Sequence, residues 1–224
     1  MGALKGAFIN IGAGLLGGLP NIVIFQFNPD RVTRTPSLAQ QPKPPTGGGA
    51  TNANQQPSGP TETYSFQLHL DASDQLAQSN PIAALSGILP TLSALELLQV
   101  PATAMTIDLA SLVGLGSGSS SSGPYVMPPL QLPTVLFFWG PYRIWPVTVN
   151  SLSITETEYD PLLNPIRAEV QVSLQVLTTN QIDPGSTLAL GAYNYSLGVK
   201  QVMAALNLAN AAQLGLSSIF SLSL

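Results

Sequence analysis

The chain has 224 residues, enough for one substantial domain with extensions. Only 8% of them are Asp, Glu, Lys or Arg, against about 25% in ordinary soluble domains. Ser, Thr, Asn, Gln and apolar groups must therefore cover the surface, a composition that favours burial against partners. A net charge of −4 without a basic tract argues against nucleic-acid binding, and the lack of cysteine excludes disulfides and thiolate metal sites without identifying the compartment.

Residues 1–20 (MGALKGAFINIGAGLLGGLP) are apolar and glycine-rich, with one charge at Lys5. A basic residue before an apolar run is the pattern of a signal peptide. Asn10, the glycines between positions 12 and 18, and the lack of a small-x-small cleavage site favour an N-terminal strand or arm that packs on a neighbour. The same glycines and Pro20 interrupt any membrane span, which needs about 20 apolar residues. Ile22–Phe27 (IVIFQF) is a β-branched and aromatic strand stopped by Asn28-Pro29, and polar Asp30–Thr35 continues it past a bend. Pro36–Pro60 is low in complexity and cannot bury enough apolar area to offset its ordering entropy, which predicts a flexible loop. Tyr64, Phe66, Leu68 and Leu70 then alternate with Ser65, Gln67 and His69, a half-buried strand.

Asn80-Pro81 has the form of a helix start, with Asn80 as cap and Pro81 in the first helical position. Ile82, Leu85, Ile88, Leu89, Leu92, Leu95 and Leu98 follow at three- and four-residue spacing, and Pro90 must kink or divide the helix. Between Pro101 and Leu132 the sole charge is Asp108. This segment, with the GSGSSSSG tract at 116–123, predicts a second flexible loop, centred on 110–131, with a short strand at Met105–Leu109.

Thr134–Trp139 is apolar without alternation, as in a strand covered on both faces. Gly140-Pro141 supplies a turn into the next strand. There Val147 and Val149 share one parity while Leu152 and Ile154 share the other, so one extra residue near Asn150-Ser151 predicts a β-bulge. Asp160-Pro161 and Asn164-Pro165 bracket the connection to Ile166–Val176. In that run Ile166, Ala168, Val170, Val172, Leu174 and Val176 alternate with Arg167, Glu169, Gln171, Ser173 and Gln175, which makes one apolar and one wet strand face. Three strands with short links predict an antiparallel meander, and so a mainly β sandwich or barrel with one packed helix. Beyond Asp183 the sole charge is Lys200, and Gly191–Gln213 is rich enough in Ala and Leu for a C-terminal helix despite Gly198. The expected organisation is an apolar arm at 1–20, a β domain at 21–179, and a helical assembly segment at 180–224.

Catalysis needs a positioned acid, base, nucleophile or metal, and candidates are few. His69 is the single histidine, at an outward strand position, so a Ser-His-Asp triad through it is a formal option only. Asp71 and Asp74 read as turn and helix-cap residues. Glu156, Glu158 and Asp160 read as an acidic hairpin end rather than a paired-acid or calcium site, with Glu156 and Glu158 expected on one solvated face. The glycine clusters lack the strand-to-helix context of a phosphate loop. No catalytic, cofactor-binding or metal-binding residue is therefore assigned, and neither a cofactor nor a small-molecule substrate is expected.

Several segments together resemble the tube-related baseplate proteins of extracellular contractile injection systems, relatives of contractile phage tail-tube proteins. They are Ile24-Phe25-Gln26-Phe27-Asn28-Pro29, the strand around Phe66–Leu70, the Pro81–Leu98 helix closing on Ala94-Leu95-Glu96-Leu97-Leu98, and Val135-Leu136-Phe137-Phe138-Trp139-Gly140. Val149-Asn150-Ser151-Leu152-Ser153-Ile154-Thr155-Glu156 and the run from Asp160 to Val172 complete the set, which covers most of residues 20–180. The resemblance implies a tail-tube-like β-barrel assembled as a hexameric ring between the spike or hub protein and the inner tube protein. It also implies assembly in the cytoplasm within a particle that can be released or membrane-attached. Members of this family often carry a LysM module after the barrel. Asp183-Pro184-Gly185-Ser186-Thr187-Leu188 resembles the start of one, but the rest does not follow. Two other readings compete with this one: a secreted carbohydrate-binding β-sandwich using Trp139, Tyr142 and Trp145 for stacking, and a membrane-associated protein using both apolar ends.

Overall fold

The alternating run at 166–176 lies inside a large antiparallel sheet. A computed structural model describes residues 4–11, 21–38, 60–101 and 132–213. The segments 12–20, 39–59, 102–131 and 214–224 fall outside these residues, and with them most of both expected loops, the Met105–Leu109 strand and the chain terminus. Among the described residues seven strands form one sheet: β1 (Ala7–Asn10), β2 (Ile22–Ile24), β3 (Val32–Ser37), β4 (Thr61–Asp71), β5 (Val135–Phe138), β6 (Ile144–Tyr159) and β7 (Pro165–Val176). Their order across the sheet is β2-β1-β5-β6-β7-β4-β3. Four helices accompany them: α1 (Ser73–Ala77), α2 (Pro81–Ser86), α3 (Leu89–Glu96) and α4 (Thr187–Gln213).

The expected meander is present as β5-β6-β7. Ala168, Val170, Val172, Leu174 and Val176 are buried on β7, while Arg167, Glu169 and Gln171 are exposed. Val135, Leu136 and Phe137 are all buried on β5, as a strand without alternation requires. The pairing of β6 with β7 slips between Val149 and Ser151, so the bulge lies where the parity changes. Gly140, at φ 80°, supplies the left-handed residue of the β5–β6 turn, which closes through Trp139 N–H to Arg143 O at 2.8 Å.

The sheet curls back on itself. Four strand spacings separate β1 from β4, about 19 Å in a flat sheet, yet the Phe8 and Phe66 rings lie 6.2 Å apart and Phe25 lies 5.8 Å from Phe66. Tyr64, Phe137 and the valines of β6 and β7 fill the resulting concavity. The curl stops short of closure, because β2 and β3 remain as edges. At one end the Gln26 side chain spans that gap, accepting from Asp71 N–H at 2.9 Å and donating to Asp71 O, much as a strand residue would. The barrel expected from the resemblance is thus a curled, open sheet among the described residues.

Three expectations about chain organisation change. Ala7–Asn10 is a strand, one of the two forms expected of the N-terminal segment, but it lies within the sheet rather than ahead of the domain, paired with both β2 and β5, with Phe8 fully buried. The strand at 22–27 ends at Ile24, and Val32–Ser37 does not prolong it. It crosses to the opposite edge and pairs with β4. Pro36 is tolerated there because an edge strand has one side free of ladder bonds. The helix after Asn80 is divided, one of the two outcomes expected of Pro90: Asn80 caps α2 through the Ile82 and Ala83 amides, Gly87 ends it, and α3 begins afresh with Pro90 in its first turn. The C-terminal helix starts at Thr187, four residues before the expected Gly191.

Candidate interaction surface

α4 is 27 residues long, about 40 Å at 1.5 Å per residue, and its two halves differ. The first half packs beside β6. Ala189 and Ser196 are buried, and Tyr193 meets Trp145 edge-on at 5.9 Å. Ser196 replaces a missing strand partner for Ile144, donating to its carbonyl at 2.6 Å and accepting from its N–H at 3.0 Å. Lys200 ends this packed half. Its ammonium is ion-paired with Glu62 and lies 4.3 Å over the Trp145 ring. From Gln201 to Asn210 every residue is exposed, including Val202, Met203, Leu206 and Leu208.

A groove of about 480 Å³ opens where α4 leaves the sheet, lined by Arg34, Trp139, Tyr142, Arg143, Trp145, Val199, Lys200 and Met203. Along the helix it continues into an apolar channel of about 380 Å³ past Tyr195, Gly198 and Val202. The chain has seven basic residues, and three of them meet here. Lys200 is neutralised by Glu62, whereas among the described residues no carboxylate pairs with Arg34 or Arg143. Below them Tyr64 is fully buried. Burial pushes its phenol above the usual value, and the neighbouring Glu62 carboxylate adds to the rise. The indole N–H of Trp145 is buried without a hydrogen-bond partner among the described residues.

The three aromatics weighed for carbohydrate stacking do share this groove, but they do not form an open row. Trp145 is 2% exposed, and one partner on its ring is already Lys200. Tyr142, at 60%, is the ring presented to solvent. His69 lies 3.7 Å from the Glu169 carboxylate, both half exposed, and among the described residues no serine hydroxyl hydrogen-bonds to it. Among the described residues the triad option therefore has no geometry behind it. Asp71 is a turn residue and more: it accepts from Ser73 N–H and from Arg167 Nε, at 2.7 and 2.8 Å. Partial burial raises its pKa, but these bonds outweigh that and hold the carboxyl below the usual range. Asp74 sits in the first turn of α1. Among the described residues no group of three or more His, Asp or Glu is placed to hold a metal ion.

The far end of β6 carries the second notable surface. The turn after Tyr159 is fixed by Asp160, whose Oδ1 accepts from the Leu162 and Asn164 amides and whose Oδ2 accepts from the Asn164 side chain, each at 2.8 Å. The Asn164 bond holds the Asp160 carboxyl below the ordinary value against a small opposing effect of desolvation. The turn presents Leu162 and Leu163 at 75% and 78% exposure, Leu163 at a left-handed φ of 65°. Asn164 also donates to Leu85 O on α2, which brings the exposed Ile82 and Leu85 beside the tip. Glu156 and Glu158 do not share one face, as strict alternation would require. A second register slip separates them, so Glu156 pairs with Ala168 and Glu158 with Arg167, residues of opposite parity on β7. Arg167 bonds Glu158 at 2.8 Å, and its bond to Asp71 is the main reason its own pKa is raised.

Neither surface could be read from a motif. The groove joins Arg34, assigned to a polar continuation of the first strand, with Arg143 and Lys200, which lie more than a hundred residues along the chain. The available signal was scarcity: in a chain with so few charges, each basic residue merits a location. Comparison with protein-family models and with curated proteins finds no match to this chain.

Proposed function

We propose that this chain is a structural subunit of a contractile injection system, a tail-tube-like ring protein that adapts the spike or hub to the inner tube. The observation that carries the reading is the second half of α4, ten consecutive exposed residues with four large apolar side chains and no described surface against them. A helix with such a face needs a partner, and burial of that face is the main favourable term in protein association. Two further features support a ring. The curled sheet has the shape of a barrel left open at one seam, and its edge strand β2 exposes Ile22 and Ile24, so a neighbour is needed to cover it. The surface is also too poor in charge to favour a solitary monomer. Among the described residues no helix is long and apolar enough to cross a membrane.

The test is co-purification. A tagged chain expressed from its native host should be recovered after detergent-free lysis with tube and spike proteins, and electron microscopy of the material should show particles. Recovery only with the membrane fraction, or as a free monomer without those proteins, would remove the proposal.

A further inference from the structure

The two ends of β6 carry opposite charge. Around the tip stand five carboxylates, Asp71, Asp74, Glu156, Glu158 and Asp160, against the single guanidinium of Arg167. At the other end Arg34, Arg143 and Lys200 line the groove, with Glu62 as the one acid paired there. Sixteen residues of strand separate the two, about 50 Å if fully extended, so the tip of one molecule cannot reach its own groove. Apolar surface matches the charge. The tip exposes Leu162 and Leu163 beside Ile82 and Leu85, and the groove runs into the apolar channel along Val199, Val202 and Met203.

We propose that the β6–β7 tip of one copy docks in the groove beside α4 of a second copy, with Leu162 and Leu163 in the channel and the tip carboxylates facing Arg34 and Arg143. This inference rests on the ring-forming reading above and names its self-contact. The tip is suited to the role because it is already rigid. Asp160 ties Leu162 and Asn164 through three side-chain bonds, and Leu163 between them is held in a backbone conformation that a leucine adopts at a cost. A pre-ordered knob loses little entropy on docking. The groove is a hole of matching character, and the two guanidiniums at its rim have no carboxylate partner among the described residues. A contact between unlike surfaces is head-to-tail, and it closes into a ring when its rotation permits.

The experiment is a charge reversal with a swap, on the full chain, read by sedimentation velocity across a concentration series. Arg143 and Glu156 are chosen because both are exposed, and the hydrogen bond Glu156 makes there is to the exposed Tyr159 phenol rather than to the backbone of the turn. Arg143→Glu and Glu156→Arg should each weaken self-association about tenfold or more, since each sets like charges face to face. The double variant should recover most of the loss, and circular dichroism should show all three folded. Self-association unchanged by either reversal, or a double variant no better than the singles, would overturn this contact while leaving the ring reading intact. If Arg143→Glu still self-associates but no longer co-purifies with the tube protein, the groove holds a different occupant and self-docking is wrong. Failure of the ring reading itself would show instead as wild-type protein that never recovers tube or spike components.

Discussion

At the scale of single residues, parity on β7 decides what each position tolerates. Val172 is fully buried among Phe66, Leu152 and their neighbours, whereas Gln171 one step along is exposed. Val172→Asp would place a carboxylate in an apolar interior without a partner, a cost of several kcal/mol against a total stability of about 5–15 kcal/mol. Loss of the cooperative thermal transition is expected. Gln171→Asp should change stability by no more than about 0.5 kcal/mol. Equal melting shifts for the two would mean that both faces of β7 are covered. Gly87 shows a constraint of another kind: at φ 57° it lets the chain pass so close to the β7 entry that a Cβ would stand 2.1 Å from Pro165 O. The Pro90 break was readable from the sequence, but this second reason for dividing the helix depends on a neighbour 78 residues away and was not.

At the scale of elements, the β3–β4 connection and α4 make separate predictions. The ladder sets Ser37 opposite Thr61, with their hydroxyls 2.9 Å apart, so the ends of the connection are already adjacent. Replacing residues 39–59 by a short turn should therefore alter stability by about 1 kcal/mol or less, because loop-closure entropy varies only with the logarithm of length. A shortened variant that lost its β-type circular dichroism would show that those residues carry structure the sheet needs. For α4 the two halves should separate cleanly. Removing 201–224 takes away the exposed stretch Gln201–Asn210 and should leave the melting temperature nearly unchanged while abolishing self-association. Removing 187–224 also uncovers Trp145 and deprives Ile144 of Ser196, and should cost several kcal/mol. Equal destabilisation by the two deletions would mean that the overhang packs on the sheet. What was legible at this scale followed from local rules. Period-two runs marked β4 and β7, a parity slip marked the bulge in β6, and Asn80-Pro81 marked a capped helix. What escaped was long-range. Nothing local tells that Ala7–Asn10 enters the sheet beside β5, or that Val32–Ser37 crosses to the far edge, since both depend on which strand is free to pair.

At the scale of the whole molecule, the scarcity of charge makes the pH response simple. The described carboxylates held below the ordinary range are Asp71 and Asp160, and both lie at the tip end of β6. For Asp71, hydrogen bonds from Ser73 and Arg167 overcome the opposing effect of burial. For Asp160 the bond from Asn164 leads. A carboxylate whose pKa is depressed by folding contributes stability that is present above its unfolded value of about 3.9 and is lost as pH falls through the folded value. Melting temperature should therefore be level from neutral pH down to about 5 and fall below about 4, as protonation releases the Asp160 turn and the Asp71–Arg167 pair. Arg167 stays charged throughout, so protonating Asp71 also leaves that guanidinium short of a partner. Asp160→Asn keeps an acceptor oxygen but no titrating group, and should shrink the low-pH fall while leaving the plateau slightly lower. A melting temperature that already drops between pH 7 and 5, or one equally acid-sensitive in Asp160→Asn and Asp71→Asn, would place control of acid stability outside the tip. The same titration bears on assembly, because the tip is the acidic partner of the proposed contact. Self-association should weaken as Asp71 and Asp160 are protonated, and it should also fall with added salt in proportion to how exposed the tip charges remain.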